Sequence, residues 1–189
     1  AIAQALESLV SKKSNNQSIE YASKSLRVSI NSYISFLNNP NLKNATEMSI
    51  ASNLAGKAIS ISKTTAPHAV SYPFTSLFNI SHGHAVGLFF ESFFKFNFEN
   101  LDKSETSFDL RKRFNLIFDL LDVKNINDFN SKISLIKKQA KLEDSLETLN
   151  IDINQSSEKI IKGINLLRLG NNPVKIDEKD IYNIISKTL

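Results

Sequence analysis

Cysteine and tryptophan are absent from these 189 residues, and methionine occurs once. Without cysteine there is no disulfide framework and no thiolate metal site, so a bound metal must rely on imidazole, carboxylate, amide or water ligands. Neither a Gly-x-Gly-x-x-Gly pattern nor a P-loop is present, so the usual cradle for a dinucleotide is not in this chain. Long apolar runs are missing too. Even VGLFFESFFKFNF is broken by Glu91 and Lys95, which leaves nothing near the roughly 18 residues of a membrane span. The N-terminus lacks a basic-then-apolar signal pattern, and the expectation is a soluble, cytoplasmic protein with no membrane partner.

What is present is an ordinary globular mixture, 41% hydrophobic and 22% charged, with chain enough for one domain and a sizeable core. The net charge is +4 with a pI near 9.2. Its basic residues fall in small scattered groups: Lys12 with Lys13, Arg111 to Arg113, and Lys137 with Lys138. That scatter reads as solvated helix faces and argues against a nucleic-acid partner.

Glycine and proline are few, at five and four, while apolar residues recur at helical spacing, as in Ile19, Ala22, Leu26, Ile30, Tyr33, Ile34 and Leu37. The run stops at NNPN around Pro40. A second helix follows Asn44 and is expected to bury Met48, Ala51, Leu54, Ala55, Ala58 and Ile59, with Gly56 allowing another backbone to approach. Further helices are expected over about 81–98, 108–121, 127–149, 156–169 and 178–189. No segment alternates with period two, so the fold class is an all-α multihelical bundle, a single domain over 1–189. AIAQALESLVSKK reads as amphipathic helix from its first residue, without a capping side chain before it. Phe89, Phe90, Phe93, Phe94 and Phe96 surround too much of a helix for one buried stripe. Core packing is expected to take most of that surface, and the remainder to face another subunit of a homo-oligomer or a domain outside this chain.

The three histidines, His68, His82 and His84, all fall in PHAVSYPFTSLFNISHGHAVGL. Pro67 suits the first turn of a helix and Ser81 suits a cap, which places His68 and His82 near two helix N-termini. A short helix followed by extended chain can return over the fourteen residues between them, so the two imidazoles can converge. Two imidazoles with open positions for a substrate oxygen suit zinc or iron. The alternative is a pair of polar groups hydrogen-bonded near helix ends.

SNLAGKAISISKTTAPHAVSYPFTSLFNISHGHAVGL resembles the C-terminal half of the iron-containing (group III) alcohol dehydrogenases, members of the dehydroquinate synthase-like fold. LAGKA, His68 and His82 are similar to the family's Ala-Gly helix and its two ligand histidines fourteen positions apart. The opening AIAQALES looks like the family's Asp-Ala-x-x-His-Ala-x-Glu helix with its aspartate just before Ala1. GNNPVKIDEKDIYNII resembles the closing Asn-Pro turn and last helix. The resemblance spans nearly the whole chain in the right order.

The resemblance implies an NAD(P)-dependent oxidoreductase whose N-terminal nucleotide-binding domain is absent from this chain. The chain would then be the catalytic metal- and substrate-binding domain, inactive alone. A divalent metal, iron or zinc, would polarise the substrate oxygen while NAD(P)H exchanges hydride. The metal ligands would be His68, His82 and, in place of the usual first-helix histidine, Gln4. Tyr72 stands where many relatives carry another histidine and is a candidate proton relay. HAVSYPFTS and SHGHAVGL look most like the subgroup that reduces phosphonoacetaldehyde to 2-hydroxyethylphosphonate. His84 and Lys63 are then candidates for the phosphonate, and His84 also for catalysis, beside the helix N-termini near Ala66 and Ser81. A dehydroquinate synthase-like lyase, a polyol phosphate dehydrogenase and a helical interaction module remain the alternatives.

Overall fold

Short polar side chains decide where most of the helices begin. In the computed structural model, which describes residues 1–186, Asn15 and Asn41 form reciprocal capping boxes with Ser18 and Asn44. Asp109, Asn125, Asp152 and Asn165 accept from backbone N–H groups of the turns they start. Each cap satisfies donors that a first turn leaves unpaired and contributes about 1 kcal/mol. The helices are α1 (Ile2–Val10), α2 (Asn16–Asn38), α3 (Leu42–Ser62), α4 (Ala66–Phe78), α5 (His82–Leu88), α6 (Phe90–Glu99), α7 (Leu110–Leu121), α8 (Ile126–Gln139), α9 (Ile153–Lys162), α10 (Leu166–Leu169) and α11 (Glu178–Ser186). The fold is the all-α bundle that the periodicity predicts. Among the described residues there is one isolated bridge, Ser104 with Val174, and no strand. No helix there is long and apolar enough to cross a membrane.

Helices α2 and α3 form an αα-hairpin whose seam is lined by small residues. Ala22, Ser25 and Ser29 face Ala51, Ala55 and Ala58, and the Ser25 hydroxyl donates to the Ala51 carbonyl at 2.7 Å. Gly56 plays no part in this close approach, contrary to expectation. It lies on the exposed face, with nothing within 4 Å of where a Cβ would stand. Gly163 is the crowded one, since its Cβ would meet Pro73 Cβ at 2.9 Å. Gly56→Ala should therefore raise stability by about 0.5–1 kcal/mol through helix propensity. Gly163→Ala should lower it by about 1–2 kcal/mol through overpacking. Denaturant midpoints of the two variants check both signs.

The phenylalanine run is buried between two cores. The expected helix over 81–98 breaks at Phe89 (φ −121°, ψ 13°) into α5 and α6. Phe89 and Phe93 enter a cluster built with α4, α9 and α11, whereas Phe90 and Phe94 enter one built with α1, α2, α7 and α8. Phe96 is half-buried against both. An all-round apolar helix is thus explained inside the domain, without an exposed patch on α6.

Other boundaries shift for local reasons. The helix expected over 127–149 ends at Gln139, where Lys141 takes φ 55°. The Leu142 and Lys141 N–H groups turn back to the carbonyls of Lys137 at 3.1 Å and Lys138 at 3.0 Å, a Schellman closure. The helix expected over 156–169 divides at Gly163 into α9 and α10. Pro73 does not interrupt α4, which runs through it to Phe78. The last three residues of the helix expected over 178–189 lie outside the described residues.

Candidate active site

The Asn-Asn-Pro turn near the end of the chain fixes the entrance to α4. The Asn171 amide donates to Ser11 Oγ at 2.7 Å, Ser62 O at 2.8 Å and Thr64 O at 3.0 Å. The Asn172 amide donates to Asn97 Oδ1 at 2.7 Å and Val174 O at 2.8 Å. Both side chains are buried. These bonds tie α1, the end of α3 and α6 to one turn, and they set the frame in which Thr65 starts α4 and His68 occupies its first turn.

Glu7, which sequence reasoning gave no role, is the fully buried partner of that turn. Its Oε1 accepts from the Thr65 N–H and Thr65 Oγ1, both at 2.9 Å, and from the His68 N–H at 3.3 Å. Its Oε2 meets His68 Nδ1 in a short contact. Burial alone would raise the Glu7 pKa, but the adjacent imidazole and the bonds from His68 and Thr65 together hold it below the usual carboxylate value. An ionised carboxylate accepts only, so Nδ1 of His68 carries a proton, and in the neutral ring it is Nε2 that presents the lone pair.

His82 begins α5 after Ser81, whose side chain makes no capping bond. Its Nδ1 lies 3.4 Å from the Ser71 hydroxyl, again on the side away from Nε2. Desolvation first, then the nearby His68 and Arg168, lower its pKa against an opposing pull from Glu7, which favours the neutral, ligating form. The two rings stand edge to face, with centroids 5.3 Å apart and planes at 68°. An imidazole nitrogen lies about 1.2 Å from its ring centre and about 2.1 Å from a bound zinc. Two such ligands on a tetrahedral ion therefore have centroids about 5 Å apart.

His68, His82 and Gln4 all line one hollow of about 330 Å³, walled by Ile2, Val86, Phe90, Ile133 and Leu142 among others. The structure thus brings these three predicted residues together. Tyr72 leans on His82, ring centroids 5.5 Å apart. Lys63 and His84 are not brought to the hollow: the Lys63 ammonium donates to Ser60 O at 2.8 Å, and His84 Nε2 contacts Glu143 O at 2.5 Å. Among the described residues no three His, Cys, Asp or Glu side chains are grouped so that they alone could hold a metal ion. Two imidazoles, each with its Nδ1 engaged, and an amide suit a divalent first-row ion, but they leave its coordination shell to be completed by donors outside this set.

The model of the Fe-containing alcohol dehydrogenase family, C-terminal domain, matches residues 1–189. The chain belongs to that family. As a Fe-containing alcohol dehydrogenase C-terminal domain, it is 26% identical over 99% of its length to the 4-hydroxybutyrate dehydrogenase of Clostridium kluyveri, of which it covers 50%. Its fold matches an archaeal halo-thermophilic Red Sea brine pool alcohol dehydrogenase with a TM-score of 0.88 at 20% identity, over 100% of this chain and 48% of the other. It also matches the sulfoacetaldehyde reductase from Bifidobacterium kashiwanohense with a TM-score of 0.82 at 22% identity, over 99% and 47%. The chain spans about half the length of these relatives.

Sequence reasoning missed three residues of this alcohol dehydrogenase domain besides the ligand candidates. Glu7 was legible as the glutamate that closes the quoted first-helix motif. Lys137 lines the hollow and is buried, although its doublet with Lys138 reads as solvated. Arg168 stands over the Tyr72 ring at 5.5 Å, and no motif signalled it.

Proposed function

We propose that this chain is the metal- and substrate-binding half of a metal-dependent, NAD(P)-linked alcohol dehydrogenase that interconverts a short aldehyde and its alcohol. The observation that supports the reading is the Glu7–His68–His82 arrangement, with both Nδ1 atoms engaged and both rings lining one hollow with Gln4. When bound, the divalent metal supplies Lewis-acid polarisation of the substrate oxygen, and nicotinamide, held by a domain outside this chain, supplies the hydride. Glu7 keeps His68 in the ligating tautomer, Ser71 backs His82, and Gln4 offers its amide oxygen as the third donor. Tyr72, packed against His82, is the side chain assigned to carry a proton to or from the substrate.

The names of two relatives refine the substrate class. Both 4-hydroxybutyrate and sulfoacetaldehyde are short chains with an acid group opposite the reacting oxygen. Phosphonoacetaldehyde, which the histidine motifs imply, has the same plan. We therefore assign an aldehyde with an anionic tail, and phosphonoacetaldehyde reduction to 2-hydroxyethylphosphonate as its leading member. In the whole enzyme, His68→Ala and His82→Ala should each lose bound metal and aldehyde-dependent NAD(P)H oxidation together. Retention of both properties by either variant would sink the reading.

A further inference from the structure

The anionic tail needs a cation, and the residues suggested by sequence do not supply it at the site. Lys63 and His84 are tied to backbone carbonyls away from the two converging imidazoles. Arg168 does not line the hollow of the imidazoles either, but it stands close enough to His82 to act on it electrostatically, with the Tyr72 ring beside both. Its helix α10 is anchored to α4 by the Asn165 N–H donating to Ala69 O at 3.3 Å, and the Asn165 side chain caps Arg168 N at 3.1 Å. The guanidinium lies over the Tyr72 ring at 5.5 Å, and that ring lies 5.5 Å from His82.

The remaining surroundings of Arg168 are incomplete in an informative way. Nη1 donates to Thr64 Oγ1, which sets the plane of the fork at the entrance to α4. Among the described residues, every ion pair involves other side chains, so no carboxylate neutralises this guanidinium. Five donors with one protein acceptor leave most of the fork unspent. A half-buried guanidinium over an aromatic face, without an ion-pair partner and one ring away from His82, is suited to a planar or tetrahedral oxyanion. An aldehyde bearing its acid one to three carbons away spans about 3–5 Å at roughly 1.5 Å per bond.

We propose that Arg168, held by Thr64 and Tyr72, binds the anionic tail of the substrate and selects acid-bearing aldehydes over neutral ones. This rests on the dehydrogenase reading above. The test uses the whole enzyme with 4-oxobutyrate, sulfoacetaldehyde, phosphonoacetaldehyde and butanal, in wild type, Arg168→Gln and Arg168→Lys. The ratio of kcat/KM for the best anionic aldehyde over butanal should fall about 100-fold in Arg168→Gln. Arg168→Lys should recover part of it, since charge is kept and the fork is lost. The three anionic aldehydes tell which acid the site prefers. An unchanged ratio, with both substrate types falling together or neither falling, overturns the proposal. Where Arg168→Gln does not fold, the Arg168→Lys comparison decides. Calorimetric titration with 4-hydroxybutyrate needs no turnover. Binding at least tenfold weaker in the variant supports the arginine site even if no aldehyde is reduced, a result that would fell only the dehydrogenase reading. Equal binding removes the arginine site.

Discussion

Glu7→Ala should destabilise the domain by about 3 kcal/mol or more, because it removes a fully buried carboxylate that four donors share. The loss strands three donors besides the imidazole: the Thr65 N–H, the Thr65 hydroxyl and the His68 N–H. Glu7→Gln is the sharper experiment. Its amide oxygen can keep the three bonds made by Oε1, so stability should fall by only about 1–2 kcal/mol. Its NH2 group would then face His68 Nδ1 and donate to it, forcing the proton to Nε2 and turning the ligating atom into a donor. Metal affinity of the whole enzyme should drop about 10–100-fold. Chemical denaturation and metal titration on both variants separate the two effects. An affinity loss no greater in Glu7→Gln than in an unrelated variant of equal stability would mean that Glu7 serves packing alone.

The same carboxylate predicts the direction of acid sensitivity. Its folded pKa lies below the usual value, so its stabilising contribution is complete above the unfolded carboxylate pKa of about 4.3 and is lost as pH falls through the folded value. Glu7→Gln should therefore flatten the acid limb of the stability profile while leaving wild type the more stable protein at neutral pH.

Which features were legible follows from what each one depends on. Helix identity depends on local periodicity and caps, and the spacing of Ala22 and Leu26 or of Ala51, Ala55 and Ala58 states it directly. The convergence of His68 and His82 was readable because Pro67 and Ser81 punctuate the chain beside them. Helix ends were less readable where tertiary contacts choose them. Lys141 and Phe89 are unremarkable residues, yet one adopts the left-handed region and the other breaks a helix so that its neighbours can fill separate cores. Arg168 was illegible because its meaning lies in Tyr72 and Thr64, residues 96 and 104 positions away.

Lys137 is the instructive middle case, and its replacement should be nearly as costly as that of Glu7. The doublet with Lys138 suggests a solvated face, but Ile126, Phe129, Ile133 and Lys137 share one helical stripe, and all four are buried. The Lys137 ammonium reaches Glu91 at 2.8 Å, Asp144 at 3.1 Å and the Gly87 carbonyl at 3.3 Å. It thereby joins the α5–α6 break to the chain that follows α8, on the wall of the hollow that holds the imidazoles. Lys137→Met should cost about 3 kcal/mol or more, since Glu91, whose side chain is only 12% exposed, is left charged without its cation. Glu91→Gln should cost less, because the ammonium keeps Asp144 and Gly87. Combining Lys137→Met with Glu91→Gln should recover more than 1 kcal/mol relative to the sum of the single changes, the coupling of a desolvated pair. Denaturant midpoints of the four proteins give that coupling. A Lys137→Met loss below about 0.5 kcal/mol, the range of an ordinary surface change, would return Lys137 to the solvated face.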